Sequence, residues 1–502
     1  GFRHVSALQQ EGLKCWDGLQ SKWIRSRPFF FAGTADTKGL PIISGLVGHS
    51  GKHGCRLYCG FKGRHKTGAP MYYPAALKPS NQAADEYHHP NVDIATISPP
   101  SISEYNTNLR ALLQSTTKTA YKDARLETGI SQPSICLGLQ RAMLPVPTCF
   151  PLDLMHLCSL NLPQHLLATW RNSSETKIVF NQNNKPNFIV LHKSDVWKAH
   201  GKLVESMRPY LPTSFGRPPR NPALKINSGY KVCEFQIYFW ILGPAVFRLV
   251  LPNALWRNFC KLVRATCVIH QCIITREQIE DIHRLLLDWE TEFELQYYGC
   301  DIERLHLIRP CIHAMVHVAQ ETARCGPLHL LAQWVLENTI GNLGCEVRQP
   351  SNAFANLAEH GLIRAQQNAL RAIIPDSDNH LPNGAMPLDN GFALLKARQK
   401  KPQRLQCEAE VAALRTYYLN ASVDKSQALT EDEWQVIEDE WQEIEAQLRI
   451  QKWARLLLPN RQEVRSAWKD GRRSNGRNSR NVKVSFTLRH CQPILDLLLT
   501  ST

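Results

Sequence analysis

Four side chains in two short segments have the types and spacing to hold a soft metal ion. In HSGKHGCRLYC (49–59), three residues separate Cys55 from Cys59, and His49 and His53 stand just before them. Thiolates are preferred ligands of zinc, and a Gly-rich turn lets two of them converge. In IHAMVH (312–317), His313 and His317 stand at i and i+4, so on a helix both imidazoles share a face and can point at one metal. Each half also has a plain reading. The C-x3-C spacing is less specific than C-x2-C, and a histidine pair on a half-buried helix needs no metal.

A carboxylate accompanies each half. Asp36 lies 19 residues before Cys55, at the end of an apolar run that begins at Phe29. Glu337 lies 20 residues after His317, in the apolar stretch WVLE (334–337). Alone, Asp36 reads as the start of a turn and Glu337 as a helix-edge or ion-paired residue. A single zinc joining the Cys half to the His half would bring both carboxylates together from distant parts of the chain. That links four signals that are weak one by one.

The elements that must position these residues are mostly helical. Phe29–Ala32 reads as a short buried strand, and 61–100 as irregular loop. Helices are expected near 151–171, 191–209, 253–270, 276–296, 302–323, 329–341 and 352–373. A longer one, about 429–458, has Trp434, Ile437, Trp441, Ile444 and Leu448 as an apolar stripe. Phe235–Leu251 is the most apolar stretch, but it is short for a bilayer and carries Gly243-Pro244 and Arg248. It reads as two buried helices broken at the proline, and no membrane span is expected.

Composition narrows the class. With 502 residues, 43% hydrophobic and 21% charged, the chain is globular and long enough for several domains. Its net charge of +15 suits a polyanionic partner such as nucleic acid. Sixteen scattered cysteines are too few for a disulfide scaffold and suggest reduced thiols. GHSGK (48–52) lacks the second glycine of a hydrolase nucleophile elbow, and there is neither a Walker A loop nor a dinucleotide fingerprint.

Four stretches carry a family resemblance: AGTADTKGLPIISGLVGHSGKHGCRLYCGFKGRHK (32–66), PVPTCFPLDLMHL (145–157), WVLENTIGNLGCEVRQPSNAFANL (334–357) and PNRQEVRSAWKDG (459–471). In order and content the chain resembles transposases of the CACTA (En/Spm-like) superfamily in their fungal form. It is distantly similar to the V(D)J recombinase catalytic subunit. The resemblance implies a mixed α/β, predominantly helical chain, with a partial ribonuclease-H-like core interrupted by a large all-α insertion. It also implies metal-dependent DNA strand cleavage and transfer through two Asp and one Glu on magnesium.

Carried over residue by residue, Asp36 matches the second catalytic Asp and Glu337 the Glu, with Glu346 as the fallback. Asp153 and His156 match a D-x-x-H motif, whose plain reading is a helix-capping Asp. The distant relative's structural zinc site resembles Cys55, Cys59, His313 and His317. The implied partners are transposon-end DNA and further copies of the chain, and the implied location is the nucleus, after synthesis in the cytoplasm.

One feature departs from the family. The first catalytic Asp belongs well upstream of Asp36, and Asp17 reads as an ordinary helix-surface residue. The chain is therefore expected to be a fragment, inactive by itself. The alternative is a non-catalytic, DNA- or protein-binding transposon relic. The domain layout expected is a partial core with Asp36 and the Cys pair (1–60), a loop-rich region (61–150), the helical insertion (151–328) and the Glu337 region (329–375). A linker (376–410), C-terminal helices (411–470) and a basic flexible tail (471–502) follow.

Overall fold

The computed structural model describes residues 2–465, apart from 81, 84, 86, 99–101, 140–141, 212–214, 348–349, 375–380, 399–400, 405–407, 423–429 and 460–462. The basic tail and the end of the fourth matching stretch lie outside the described residues. The chain divides into two units, Gly1–Cys345 and Glu346–Thr502. All the candidate residues except Glu346 belong to the first.

The first unit opens with helix α1 (Phe2–Glu11) and an antiparallel hairpin of β1 (Leu13–Asp17) and β2 (Lys22–Ser26). Asp17 is not on a helix, contrary to the sequence reading. It ends β1, and its Oδ1 accepts from the backbone N–H groups of Leu19 and Gln20, so it caps the hairpin turn. The apolar run after it makes only one parallel bridge, Phe30 to Met143, and Phe29 and Phe31 stay exposed. Among the described residues the strand expected there forms no ladder, only this isolated bridge, with Phe30 N–H donating to Ala142 O and Leu144 N–H to Phe30 O. Every sheet among the described residues is antiparallel.

A two-residue ladder, β3 (Arg64–His65) with β4 (Tyr72–Tyr73), follows. The region expected as loop-rich, 61–150, also carries α2 (Ile102–Leu113) and α3 (Lys118–Thr128). Tyr105, Leu109 and Leu112 of α2 join Leu40, Leu46, Ile130 and Phe150 in a small core under the Asp36 segment.

The large core is helical. The chain is helical from Leu154 to Arg171, with a wide turn at Leu157–Asn161 ahead of α4 (Leu162–Arg171). Pro163 explains the wide turn, because it has no N–H to donate and its ring crowds the preceding turn. Next come α5 (Ser194–Ser206), α6 (Asn253–Ile269) and α7 (Arg276–Phe293). Thr275 and Gln278 form a capping box that starts α7.

Most residues of 235–246, and Leu251, are buried, in two helical pieces meeting at Gly243-Pro244 through a wide turn, while Ile241 and Leu249 are exposed. A Cβ at Gly243 would stand 2.9 Å from the Phe259 ring, so this packing needs glycine. Trp170, Phe239, Phe247 and Phe259 form its aromatic centre, and Trp170 Nε1 donates to Tyr297 Oη at 2.9 Å. No described helix is long and apolar enough to cross a membrane.

The expected helix 302–323 is divided. Ile302–Leu307 stops before Pro310, and the chain restarts as Pro310–His313, Ala314–His317 and α8 (Val318–Cys325). Then α9 (Trp334–Glu346) carries Glu337 near its start.

In the second unit α10 (Ala353–Ile373) matches the expected helix. The expected linker instead holds β5 (Met386–Pro387) and β6 (Ala393–Arg398), and both join a four-stranded antiparallel sheet. Its other strands are β7 (Trp453–Leu457) and β8 (Glu463–Arg465). Between β6 and β7 lie α11 (Glu408–Ser422) and α12 (Glu431–Gln447). The long helix expected to 458 therefore ends early. Trp453, Ala454, Leu456 and Leu457 are buried on both faces of β7, which suits a sheet position and not one stripe of a helix.

Overall the chain is mixed α/β and predominantly helical.

Candidate metal centre

Cys55 and Cys59 sit on a tight turn. Tyr58 N–H donates to Cys55 O at 3.0 Å, and Tyr58 and Gly60 take left-handed φ values of 58° and 75°. Gly54 is required just before it, since a Cβ there would lie 2.8 Å from His49 O. His313 and His317 sit one turn apart on the chain that follows Pro310, and both are buried. Phe61, two residues after Cys59, packs its ring 4.7 Å from that of His313 and closes one side.

The two halves meet. Cys55 Sγ is 3.5 Å from His317 Nε2, Cys59 Sγ is 3.3 Å from His313 Nε2, and the two Nε2 atoms are 3.2 Å apart. All four ligand atoms lie within 4.8 Å of one another. A tetrahedron with zinc–ligand bonds of about 2.0–2.3 Å has edges of about 3.3–3.8 Å. The donor set and the three separations of 3.2–3.5 Å suit such an ion, so this group could bind a metal such as zinc.

The electrostatics are those of a thiolate–imidazole cluster. A hydrogen bond from Cys59 holds the Cys55 thiol well below its usual range, with help from both imidazoles, against the cost of burial. The same bond, with burial, pushes Cys59 up. Burial lowers His313. For His317 burial is outweighed, first by the charge of Cys55, and its pKa is raised.

The acidic residues lie beside this cluster. Asp153 is fully buried, and Oδ1 accepts from Met155 N–H and Gln333 N–H, each at 3.1 Å. The first bond is the helix cap expected of an Asp at this position. The second reaches the residue before α9. Oδ2 lies 2.5 Å from His156 Nδ1, and His156 Nε2 lies 3.7 Å from Glu337 Oε1. The hydrogen bond to Asp153 raises the His156 pKa, burial opposes it, and the charges of Asp153, Glu337 and Asp36 add to the rise.

Asp36 and Glu337 thus act on one imidazole from opposite parts of the chain. They do not form a tight ligand set. Among the described residues the Cys2His2 group is the one place where three or more such ligand atoms converge. Asp36 Oδ1 accepts from Gly39 N–H at 2.6 Å, as a turn-starting Asp does. Glu346 is nine residues from Glu337 on α9, half a turn out of phase at 3.6 residues per turn, and it pairs with Arg364.

One positioning residue carried no sequence signal. Arg56, next to Cys55, donates from one terminal nitrogen to Ala35 O at 3.3 Å and to Pro151 O at 3.1 Å. It ties the segment ending in Asp36 to the segment ending in Asp153. Its neighbours 35 and 151 are named by their carbonyls alone, which every residue has, so no motif marks the contact.

No protein-family model, curated protein or solved structure matches the chain.

Proposed function

We propose that the chain is the catalytic region of a metal-dependent DNA nuclease of the transposase kind, as its resemblance to the CACTA superfamily implies. On this reading the partial ribonuclease-H-like core carries Asp36 and Glu337 as the two magnesium-binding carboxylates. Asp153 orients His156 between them, and zinc fills the Cys2His2 group. The partner is transposon-end DNA, bound by several copies of the chain in the nucleus. What supports the reading is the contact of Glu337 with the Asp153–His156 pair, the charge of Asp36 acting on the same imidazole, and the Cys2His2 group lining the same cavity as His156, all from segments far apart in sequence.

Zinc would be held by two thiolates and two imidazoles, a closed set that stabilises the fold and leaves no position for substrate. Magnesium would supply activation of an attacking oxygen and stabilisation of the leaving one. Asp36, His156 and Glu337 do not close on one point, so no coordination is drawn from them.

The chain's own contribution is then to hold the scissile strand and to orient His156. With Nδ1 engaged by Asp153, its Nε2 faces the carboxylate of Glu337. The net charge of +15 suits the phosphate backbone and predicts salt-dependent binding.

A second reading is a DNA-binding relic without catalysis. What favours it is the engagement of Asp36 with the Gly39 backbone and of Asp17 with its hairpin turn. A cleavage assay on labelled DNA, with and without Mg or Mn, separates the two. The catalytic reading expects no nicking from these 502 residues by themselves, and metal-dependent nicking, abolished by Asp36→Asn and Glu337→Gln, once a first Asp completes the triad. Salt-sensitive DNA binding without nicking even then supports the relic, and absence of DNA binding leaves only a protein-binding relic.

A further inference from the structure

We infer that the cavity between the Cys2His2 group and His156 binds one nucleoside phosphate, the unpaired nucleotide of a DNA strand. This rests on the proposal that DNA is the substrate. The cavity holds about 530 Å3, well inside the range of about 300–1,000 Å3 typical of small-ligand sites. Four cations, Lys38, Lys52, Arg56 and Arg309, line it against one acid, Glu175. They come from three stretches of chain, Lys38, the segment of Lys52 and Arg56, and Arg309, so the positive charge belongs to the cavity and not to one surface helix. Asn161 and Gln164 add polar groups, and Leu152 and Leu157 supply an apolar wall.

Two further observations locate the charge. Burial, then the charges of Arg309 and Lys38, hold His49 below its ordinary pKa, so those two cations act on the same point of the lining. The side chain of Lys52 is largely buried at 15% exposure, and its acidic neighbour Glu127, at 3.8 Å, is 82% exposed and well solvated. A pair of that kind is weak and leaves the ammonium able to meet a phosphate.

The apolar wall suits a base ring, and the cations suit its phosphate. A base within a duplex cannot enter a cavity of this kind without leaving the stack, so the occupant is unpaired or extruded. His156, which touches Glu337, lines the same cavity, so the next phosphate along the strand would lie by the acidic residues.

The test uses the full chain with a 2-aminopurine-labelled oligonucleotide, single-stranded and in duplex, and deoxyadenosine monophosphate as the free nucleotide. The variants are the double substitution Lys38→Ala with Lys52→Ala, and Gln164→Trp, which fills the cavity from an exposed position. An unchanged melting temperature and metal content in each variant shows that it is folded.

The wild-type chain is expected to bind the labelled strand with a fluorescence change, and the free nucleotide much more weakly. Losing two phosphate contacts should flatten the slope of log K against log salt by about 1.4, at about 0.7 per contact on a single strand. Gln164→Trp should weaken strand binding by at least about tenfold, because the indole takes the space of the base. If folded variants bind the strand as the wild type does, with the same salt slope, the cavity is not the site and the DNA proposal survives. If deoxyadenosine monophosphate binds as tightly as the strand, a free nucleotide is the occupant and the strand assignment fails. If the wild type binds neither, this inference and the DNA proposal both fall.

Discussion

His156 Nε2 lies 3.7 Å from Glu337 Oε1, while Asp153 holds the opposite nitrogen of the same ring at 2.5 Å. One buried carboxylate therefore fixes the ring that an exposed-side carboxylate faces. The raised pKa of His156 comes first from the Asp153 hydrogen bond. Its sign follows: a histidine raised in the fold adds stability that is complete below the unfolded value of about 6.5. That stability is lost as pH rises through the folded value. Asp153→Asn should lower the His156 pKa measured by NMR titration and remove this part of the pH dependence. A His156 titration that does not move in the variant would show that Asp153 does not control the ring.

Asp153 also caps the Leu154 helix and anchors Gln333 N–H ahead of α9. Asp153→Ala would leave those two buried donors unpaired, at about 1–3 kcal/mol each. The expected result is a loss of about 2–5 kcal/mol in denaturant unfolding. A loss under 1 kcal/mol, by the same scale, would mean that water replaces the carboxylate.

The Cys2His2 group makes a prediction about metal removal. Purified chain should hold about one zinc, and a strong chelator should lower the melting temperature. A ligand present at about a thousand times its dissociation constant stabilises by about 4 kcal/mol, which sets the scale of the loss. Cys59→Ser and His317→Ala should each reduce the bound metal. Cys149→Ser, in the other core, should not. Full metal content in both ligand variants would assign the ion to some other place.

Much of this site was legible because ligand types announce themselves. Cys55, Cys59, His313 and His317 could be chosen from spacing alone, and a joint reading of the halves pointed to Asp36 and Glu337. The links that build the cleft were not legible. Arg56 grips backbone carbonyls, and Asp153 reaches Gln333 N–H, so neither contact depends on the partner's side chain. Pattern failed where neighbours decide. Phe29–Ala32 looks like a core strand but finds one bridge, with Met143. Trp453–Leu457 continues a helical stripe by spacing, yet its two buried faces belong to a sheet whose other strands lie in the presumed linker.

Arg56 should prove hard to replace even by lysine. One ammonium on a flexible stem cannot reproduce the planar nitrogen that reaches both Ala35 O and Pro151 O. Arg56→Lys is expected to cost about 1–3 kcal/mol in denaturant unfolding while zinc content stays the same. An equal loss of zinc and stability would instead mean that Arg56 serves the Cys pair next to it and not the carboxylate segments.

The last prediction concerns a pair of glutamates far from the cleft in function, on α7 and just after it. Glu290 is fully buried, and neither carboxylate oxygen has a hydrogen-bond partner. Burial, with the charge of Glu294, pushes its pKa well up. Glu294 accepts from Ala76 N–H and Leu77 N–H, and burial still raises it to about 7. In the unfolded chain both titrate near 4.3. The folded state therefore holds more protons than the unfolded one above that value, and stability falls as pH rises through the folded pKa. His165 and His200 are depressed to about 4 by burial and act in the opposite sense, but they are neutral in both states above the ordinary histidine value. His156 and His317, raised in the fold, also contribute stability that is lost as pH rises above the ordinary histidine value, so the glutamate part of the decline is read as the difference between the wild type and Glu290→Gln. Glu290→Gln keeps the shape without the titration, and it should flatten that decline and raise the melting temperature most at pH 8. A variant whose stability falls with pH as steeply as the wild type would show that Glu290 takes up no charge in this range.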